Sequence, residues 1–126
     1  MKKFIVLALT ALLLLSSVFA QAQSETTSTY PEKGITMIVP YGSGGTTDVS
    51  GRKFAALLSK ELGVSVTVVN QAGASGSIGC QAALDAVPDG YTVLFTAESL
   101  GTQRVMGLSD LSYADYKIIS PMVNDP

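Results

Sequence analysis

The sequence predicts an α/β fold in which a parallel sheet is flanked by helices. Three short apolar segments rich in β-branched residues, at residues 35–39, 64–69 and 91–96, alternate with two segments of helical character. The links between them are short, and this alternation is typical of strand–helix–strand units with parallel strands. The strand segments lack a clean apolar–polar alternation, which indicates burial on both faces of the sheet.

The first unit combines a strand, a glycine-rich loop and a helix. Residues 35–39 form an apolar run that Pro40 ends, and the loop after it, GSGGTTD, carries little side-chain bulk. We expect a helix over residues 48–62, because apolar side chains recur there at helical spacing, namely Phe54, Leu57, Leu58 and Leu62. Gly63 is expected to cap the end of this helix, and its start is expected to be capped by Thr46, Thr47 or Asp48.

The second unit follows the same plan. Residues 64–69 (VSVTVV) predict a second strand, residues 70–76 a loop of small residues, and residues 77–86 a second helix. The VPDG sequence at residues 87–90 is typical of a turn. Residues 91–96 (YTVLFT) predict the third strand.

The pattern weakens after Ala97. Residues 99–106 predict a short helix, and residues 117–123 are interpreted as the start of a fourth strand. Pro121 in that segment favours an edge position or an irregular path, because proline has no N–H group to donate to a neighbouring strand.

The N-terminus has the composition of a secretory signal peptide. Lys2 and Lys3 precede an apolar run over residues 4–15, which is short for a membrane span. Small residues follow, and we expect cleavage after Ala20 or Ala22; a permanent membrane anchor is the alternative. The predicted organisation is a signal peptide over residues 1–22, a flexible leader over residues 23–29 and a folded region over residues 30–126.

Composition restricts the class of partner. Cleavage after Ala22 removes 22 of the 126 residues and leaves 104, which is enough for one small domain. With Lys2 and Lys3 removed, the eight basic residues fall to six against ten acidic ones, so the net charge changes from −2 to −4. A mildly acidic chain without a basic run lacks the positive surface that nucleic-acid binding requires. We therefore expect no nucleic-acid partner.

The residue types also argue against a metal site. Cys80 is the only cysteine and the chain has no histidine, whereas zinc sites are built from several such ligands. Cys80 lies among small and apolar neighbours, which favours a packing role over a reactive or metal-binding thiol. We expect no metal and no cofactor.

Three loops follow the three predicted strands: the first loop at residues 41–47, the second at residues 70–76 and the third at residues 97–101. In an open parallel sheet they all lie at one edge, where ligands usually bind. The helix start after the first loop carries partial positive charge and unpaired amide groups, which suit an anion. The loop matches neither a P-loop, since no Gly-Lys-Ser/Thr follows, nor GxGxxG. We predict that a small carboxylate binds here; glycines that merely permit a tight turn are the alternative.

Several side chains at these loops have two candidate roles. Asp48 either caps the helix or accepts a hydrogen bond from a ligand, and an ion pair with Arg52, one turn later, is compatible with the spacing. Tyr41 either packs or contacts the ligand. Ser99 is a candidate ligand donor, whereas Glu98 is more typical of a solvated side chain than of a catalytic acid.

Four stretches of the chain carry a family resemblance. They are YPEKGITMIVPYGSGGTTDVSGR, LSKELGVSVTVVNQAGASGSIGCQAA, VPDGYTVLFTAES and LSDLSYADYKIISPMV. In this order and spacing the chain resembles the extracytoplasmic solute receptors of tripartite tricarboxylate transporters, the Bug family. The resemblance implies a truncated first lobe of a two-lobed, type II-like periplasmic binding protein. It also implies a periplasmic location, no enzymatic activity, no stable membrane insertion after signal cleavage, and membrane transporter subunits as partners.

The resemblance also implies which residues hold the ligand. They come from the first loop, the second loop and the third loop, and comprise Tyr41, Gly42, Ser43, Gly44, Gly45, Asp48, Ser75, Gly76, Ala97, Glu98 and Ser99. Two positions depart from the family pattern: Gly-Ser in the first loop stands where Ala-Ala is common, and Glu98 stands where a small residue is usual. An acidic Glu98 would be unfavourable beside a dicarboxylate.

Two other functions compete with the receptor. One is a secreted α/β hydrolase, although neither Ser43 nor Ser75 lies in a GxSxG sequence and the chain has no histidine to serve as a base. The other is a truncated fragment without a function. Members of the resembled family are longer than this chain, so we expect a single lobe to bind its carboxylate weakly.

Overall fold

Three parallel strands form the centre of the structure, a computed structural model that describes residues 29–97 and 99–122. The elements in chain order are β1 (Ile35–Val39), α1 (Thr46–Leu62), β2 (Val66–Asn70), a 3-10 turn (Ala74–Gly76), α2 (Ser77–Leu84), β3 (Thr92–Leu94), α3 (Ser99–Val105) and a second 3-10 turn (Tyr113–Asp115). The described residues from Pro31 onward belong to one compact unit. The predicted signal peptide lies outside the described residues, as does nearly all of the leader.

The strand order in the sheet is β2–β1–β3, and both pairs are parallel. Ile35 of β1 lies beside Val66, and Met37 lies between Val68 and Val93. The central strand is the most buried element, because neighbouring strands cover both of its edges and helices cover its faces. The predicted α/β class with a parallel sheet is confirmed.

Helix α1 packs on the sheet through small residues. Its buried positions are Asp48, Gly51 and Ala55, and a Cβ atom added to Gly51 would lie 3.2 Å from both Val39 Cγ2 and Phe95 Cδ1. The apolar stripe expected from the sequence is only partly buried, since Leu57 is 62% exposed. The helix therefore approaches the sheet closely along glycine and alanine, with larger side chains at the margin of the contact.

The start of α1 differs from the expectation, whereas its C-terminal end agrees with it. The helix begins at Thr46, and Gly45 occupies the N-cap position without a side-chain hydrogen bond. The prediction that Thr46, Thr47 or Asp48 is the N-cap is therefore wrong, because Gly45 takes the extended conformation of that position. The prediction for Gly63 is confirmed: its φ is +70° and its N–H donates to Ser59 O at 3.1 Å.

The backbone of helix α2 lies very close to the backbone at the end of β1. A Cβ atom on Gly79 would lie 2.6 Å from Gln71 O and 2.7 Å from Pro40 Cα. Cys80, the next residue, is fully buried, as the packing interpretation expects. The Tyr116 hydroxyl donates to Cys80 O at 2.9 Å and so holds the chain after α3 against this helix.

Element boundaries shift by a few residues elsewhere. β2 starts two residues later than expected and includes Asn70, α2 ends at Leu84, and β3 is limited to three residues. The expected fourth strand is absent from residues 117–122, the described part of that segment. Within residues 29–97 and 99–122, no helix combines the length and apolar composition that a bilayer crossing requires.

The contact at Gly79 predicts a large effect of a small substitution. Gly79→Ala should destabilise the protein by about 1–3 kcal/mol, because the new methyl group meets rigid backbone at Gln71 and Pro40. Urea denaturation followed by circular dichroism measures the change. Gly101→Ala, a helical glycine with open space around it, is the matched control and should be neutral or stabilising by up to about 1 kcal/mol. Equal unfolding midpoints for the two variants would contradict the close approach.

Candidate functional site

The three loops meet at the carboxyl edge of the sheet, as the parallel topology requires. The Asn70 side chain donates from Nδ2 to Tyr41 O at 3.1 Å, which joins the second loop to the first. The Tyr41 hydroxyl lies 3.5 Å from Thr96 Oγ1, just before the third loop. Gln103 Nε2 donates to Ser75 O at 2.9 Å and joins α3 to the second loop. The loops therefore form one connected surface.

The first loop is fixed by the carboxylate of Asp48, which is only 3% exposed. Asp48 Oδ2 accepts the Gly44 N–H at 2.8 Å and the Arg52 Nε–H at 3.1 Å. Asp48 Oδ1 lies 3.0 Å from Arg52 Nη2 and accepts the Asn70 Nδ2–H at 2.9 Å. The expected pair with Arg52 is thus present, and both carboxylate oxygens are engaged by protein groups.

These contacts lower the pKa of Asp48 to about 2 from an ordinary 3.8. The Gly44 amide hydrogen bond is the largest cause, followed by the bonds from Arg52 and Asn70, and burial opposes them. Asp48 is therefore ionised at neutral pH, and the half-exposed Arg52 guanidinium compensates its charge. The side chain lies beneath the first loop and reaches back to it from the first turn of α1, so its role here is to hold the loop.

The surface of the first loop is open. Gly42, Ser43, Gly44 and Gly45 are all exposed, and a Cβ atom on Gly42 would meet nothing within 4 Å. Gly44 has φ of +84°, a conformation that favours glycine. Because Gly45 caps α1 without a side chain, the first-turn amides of this helix have no side-chain acceptor among the described residues. Backbone donors and open space thus lie together, although the Gly44 amide is used by Asp48.

Two backbone amides at the end of the second loop are bonded within the loop. The Gly76 N–H donates to Gly73 O at 2.9 Å, and the Ser77 N–H donates to Ala74 O. Gly76 is buried, since a Cβ atom there would lie 3.3 Å from Tyr41 Cε1. The Gly76 amide is therefore engaged within the loop, and a role of Gly76 at the ligand site stays a prediction. Ser75 remains exposed at this edge.

The third loop is described in part. Ala97 is exposed and follows β3 closely, Ser99 begins α3, and Glu98 lies outside the described residues. Tyr41 is half-buried, with its ring beside Gly76 and its hydroxyl directed at Thr96. Tyr41 therefore packs within the described structure, and its contact with a ligand stays a prediction.

Two residues of this surface were missed by sequence reasoning. Asn70 ends β2 and bonds to Tyr41, Asp48 and Arg52, and its signal in the sequence is an amide side chain directly after a β-branched run. Gln103 is fully buried in α3, and the sequence carries no comparable signal, because one glutamine in a polar helix resembles a solvated residue.

A cavity away from the loops, in the described part of the chain, suits an anion poorly. Its volume is about 590 Å³, and it lies between α2 and residues 108–111. Asp85 and Asp110 line it, and their carboxylates would repel a negatively charged ligand. In the described part of the chain, no group of three or more acidic or cysteine side chains is arranged to hold a metal ion. The loop edge is therefore the candidate site.

The lowered pKa of Asp48 predicts acid sensitivity of the loop. A carboxyl group whose folded pKa of about 2 lies below its ordinary 3.8 stabilises the fold fully above pH 3.8 and loses that contribution as the pH falls toward 2. Urea unfolding midpoints between pH 2 and pH 6 should fall less steeply in Asp48→Asn than in the native protein. Asp110→Asn, at an exposed residue, is the control and should keep the native slope. An unchanged slope in Asp48→Asn would refute the assignment.

Comparison with known proteins identifies the family of this chain. Residues 51–126 match the tripartite tricarboxylate transporter family receptor, TctC. The chain is 42% identical over 95 residues to Protein BugT of Bordetella pertussis, a match that covers 75% of this chain and 28% of BugT.

Solved structures give the same result. A TctC solute-binding protein from Polaromonas is 45% identical with a TM-score of 0.64, over 68% of this chain and 30% of that one. A Rhodopseudomonas palustris protein with adipate is 40% identical with a TM-score of 0.51, and MatC from the same organism, with bound malate, is 34% identical with a TM-score of 0.50. Each of these two matches covers 52% of this chain and 22% of the other.

These matches identify the family and show how much of the relatives' length this chain spans. The chain spans about a third or less of the length of the relatives it matches. The matched relatives include receptors described as solute-binding proteins, and the matched fold is the parallel sheet with flanking helices described above. The chain belongs to the family of tripartite tricarboxylate transporter receptors, TctC.

Proposed function

We propose that this chain supplies one lobe of a periplasmic receptor that binds a small carboxylate at the three loops and delivers it to membrane subunits of a tripartite transporter. The single observation that carries the proposal is the open start of α1, where glycine occupies the N-cap position and no capping side chain bonds to the helix. Its first-turn amides have no side-chain acceptor among the described residues, and Gly42 leaves space above them. An anion placed there gains both amide hydrogen bonds and the favourable helix dipole.

The electrostatics of the first loop support this placement. A carboxylate at Asp48 would repel an anionic ligand, but it is paired with Arg52 at 3.0 Å and lies beneath the loop. The Arg52 side chain is 52% exposed, so part of its positive charge faces solvent near the same edge. The ion pair therefore reduces the repulsion that the sequence alone suggests.

The relatives support the class of ligand. Adipate accompanies one R. palustris neighbour and malate is bound to another, and both are small molecules with two carboxylate groups. We infer a dicarboxylate or a related acid for this chain as well. One carboxylate would contact the start of α1, and Ser43 and Ser75, both exposed, would donate their hydroxyl groups.

The other residues predicted to line the site have different roles in this proposal. Gly42, Gly44 and Gly45 would admit the ligand to the backbone, and Tyr41 would close one side of the site. Gly76 would support the floor of the site, since it is buried. Ala97, Glu98 and Ser99 stay predictions for the third loop.

A receptor of this kind performs no chemistry on its ligand. The family and the matched structures are solute-binding receptors, and we infer the same for this chain in preference to the hydrolase alternative. Removal of residues 1–22 on export would place it in the periplasm. A neighbour described as the periplasmic binding protein BugD, 43% identical, supports that location.

Residue-resolved titration tests the ligand and its position together. Two charge-assisted hydrogen bonds of about 1.5–3 kcal/mol each total about 3–6 kcal/mol, which corresponds to a dissociation constant between about 40 μM and about 6 mM, so one lobe should bind weakly. Adipate or malate added to the ¹⁵N-labelled chain should shift the amide signals of residues 42–47 and of Ser75. The neutral diol 1,6-hexanediol, of adipate's length, is the control and should shift none of them. Shifts confined to other regions would overturn the proposed site.

Gly42→Leu tests the open space above the loop. The new side chain meets no atom of the fold within 4 Å of its Cβ position, so the free energy of unfolding should change by less than about 0.5 kcal/mol. The adipate dissociation constant should rise at least about tenfold, equivalent to about 1.4 kcal/mol, because the side chain occupies the ligand's place. Ala56→Leu, on the exposed side of α1, should leave binding unchanged. Native affinity in Gly42→Leu would show that the ligand lies elsewhere.

A further inference from the structure

We infer that Gln103 of α3 is a positioning residue that holds the second loop in its left-handed conformation, so that the second and third loops act as one unit of the ligand site. The link between Gln103 and the second loop does not depend on any ligand. The consequence for binding rests on the proposed carboxylate site.

The second loop adopts a backbone conformation that its side chains disfavour. Four consecutive residues have positive φ: Gly73 at 142°, Ala74 at 43°, Ser75 at 52° and Gly76 at 94°. Glycine accepts such angles readily, but Ala74 and Ser75 carry a Cβ atom that crowds the backbone there. Surrounding contacts must therefore hold these two residues in place.

Gln103 supplies that contact. Its Nε2 donates to Ser75 O at 2.9 Å, and the same atom would lie 3.2 Å from a Cβ atom on Gly76. Gln103 is 0% exposed, and its own carbonyl accepts the Leu108 N–H at 2.9 Å, so the side chain projects from a fixed backbone. The bond thus connects the strained turn to the end of α3.

The oxygen of the Gln103 side-chain amide indicates that this residue does more than fill space in the core. Its Oε1 is buried and has no hydrogen-bond partner among the described residues. Burial of an unpaired polar atom is unfavourable, and an apolar side chain of similar size would avoid it. The amide therefore makes its contribution through the Nε2 donor and Ser75, which lies beside the predicted ligand position.

Hydrogen exchange of the ligand-free protein tests the positioning role. In Gln103→Met, which keeps the volume and removes the donor, the Gly76 and Ser77 amides should exchange at least tenfold faster. The Met37 amide in β1 should keep its rate, because the global fold is retained. Gln103→Leu should show the same changes in exchange, and it replaces Gln103→Met in the experiment if that variant is unstable. Arg104→Met, an exposed residue of the same helix, is the control with native rates.

A second substitution tests the cause. Ala74→Gly removes the steric penalty at φ of 43°, so it should restore slower exchange at Gly76 in the Gln103→Met background. Uniform acceleration at Gly76, Ser77 and Met37, or native exchange at Gly76 in both Gln103 variants, would overturn the inference. If Gln103 only packed in the core, all three amides should exchange faster to the same extent, and Ala74→Gly should not slow the exchange of Gly76.

Adipate titration of Gln103→Met completes the experiment. The ligand-induced shift at Ser75 should be lost or weakened at least fivefold, while the shifts at residues 42–47 persist. Native adipate shifts at Ser75 despite faster exchange at Gly76 would refute the coupling to the ligand site. If the native protein shows no adipate shift at all, the proposed carboxylate function fails, and the exchange rates still decide whether Gln103 holds the loop.

Discussion

The buried carboxylate of Asp48 is the group on which the order of the loops at the carboxyl edge of the sheet depends. A loop with three glycines loses much conformational freedom when it is ordered, so it needs strong local contacts. Asp48 provides them by binding the Gly44 amide while Arg52 and Asn70 bind Asp48. One charged group thereby joins the first loop, the start of α1 and the end of β2, and it leaves the outer side of the loop open to solvent.

The same design recurs in the second loop with an uncharged group. There the amide of Gln103 holds Ser75 O from below, and the loop again presents its other side to solvent. Both loops are therefore ordered by buried polar side chains of neighbouring elements. Under the proposed function, this arrangement would allow an acidic protein to bind an anion, because local amide groups and one guanidinium would replace a positive surface.

Much of the fold followed from the sequence, because strand and helix patterns depend on local composition. The bounds of β1 and the glycine cap at Gly63 agree with expectation for that reason. The buried face of α1 did not, since Gly51 and Ala55 pack through close approach, which hydrophobicity does not reveal. Asp48 was assigned to the right region but the wrong helix position, because aspartate is favourable at both.

The position of β1 between β2 and β3 also affects how the protein folds. β1 is synthesised first, whereas its partners begin at Val66 and Thr92, 31 and 57 residues after Ile35. Pairings between such distant segments form slowly, because long loops must close before any contact is gained. Until β3 is available, an apolar strand has an open edge that invites association with other chains.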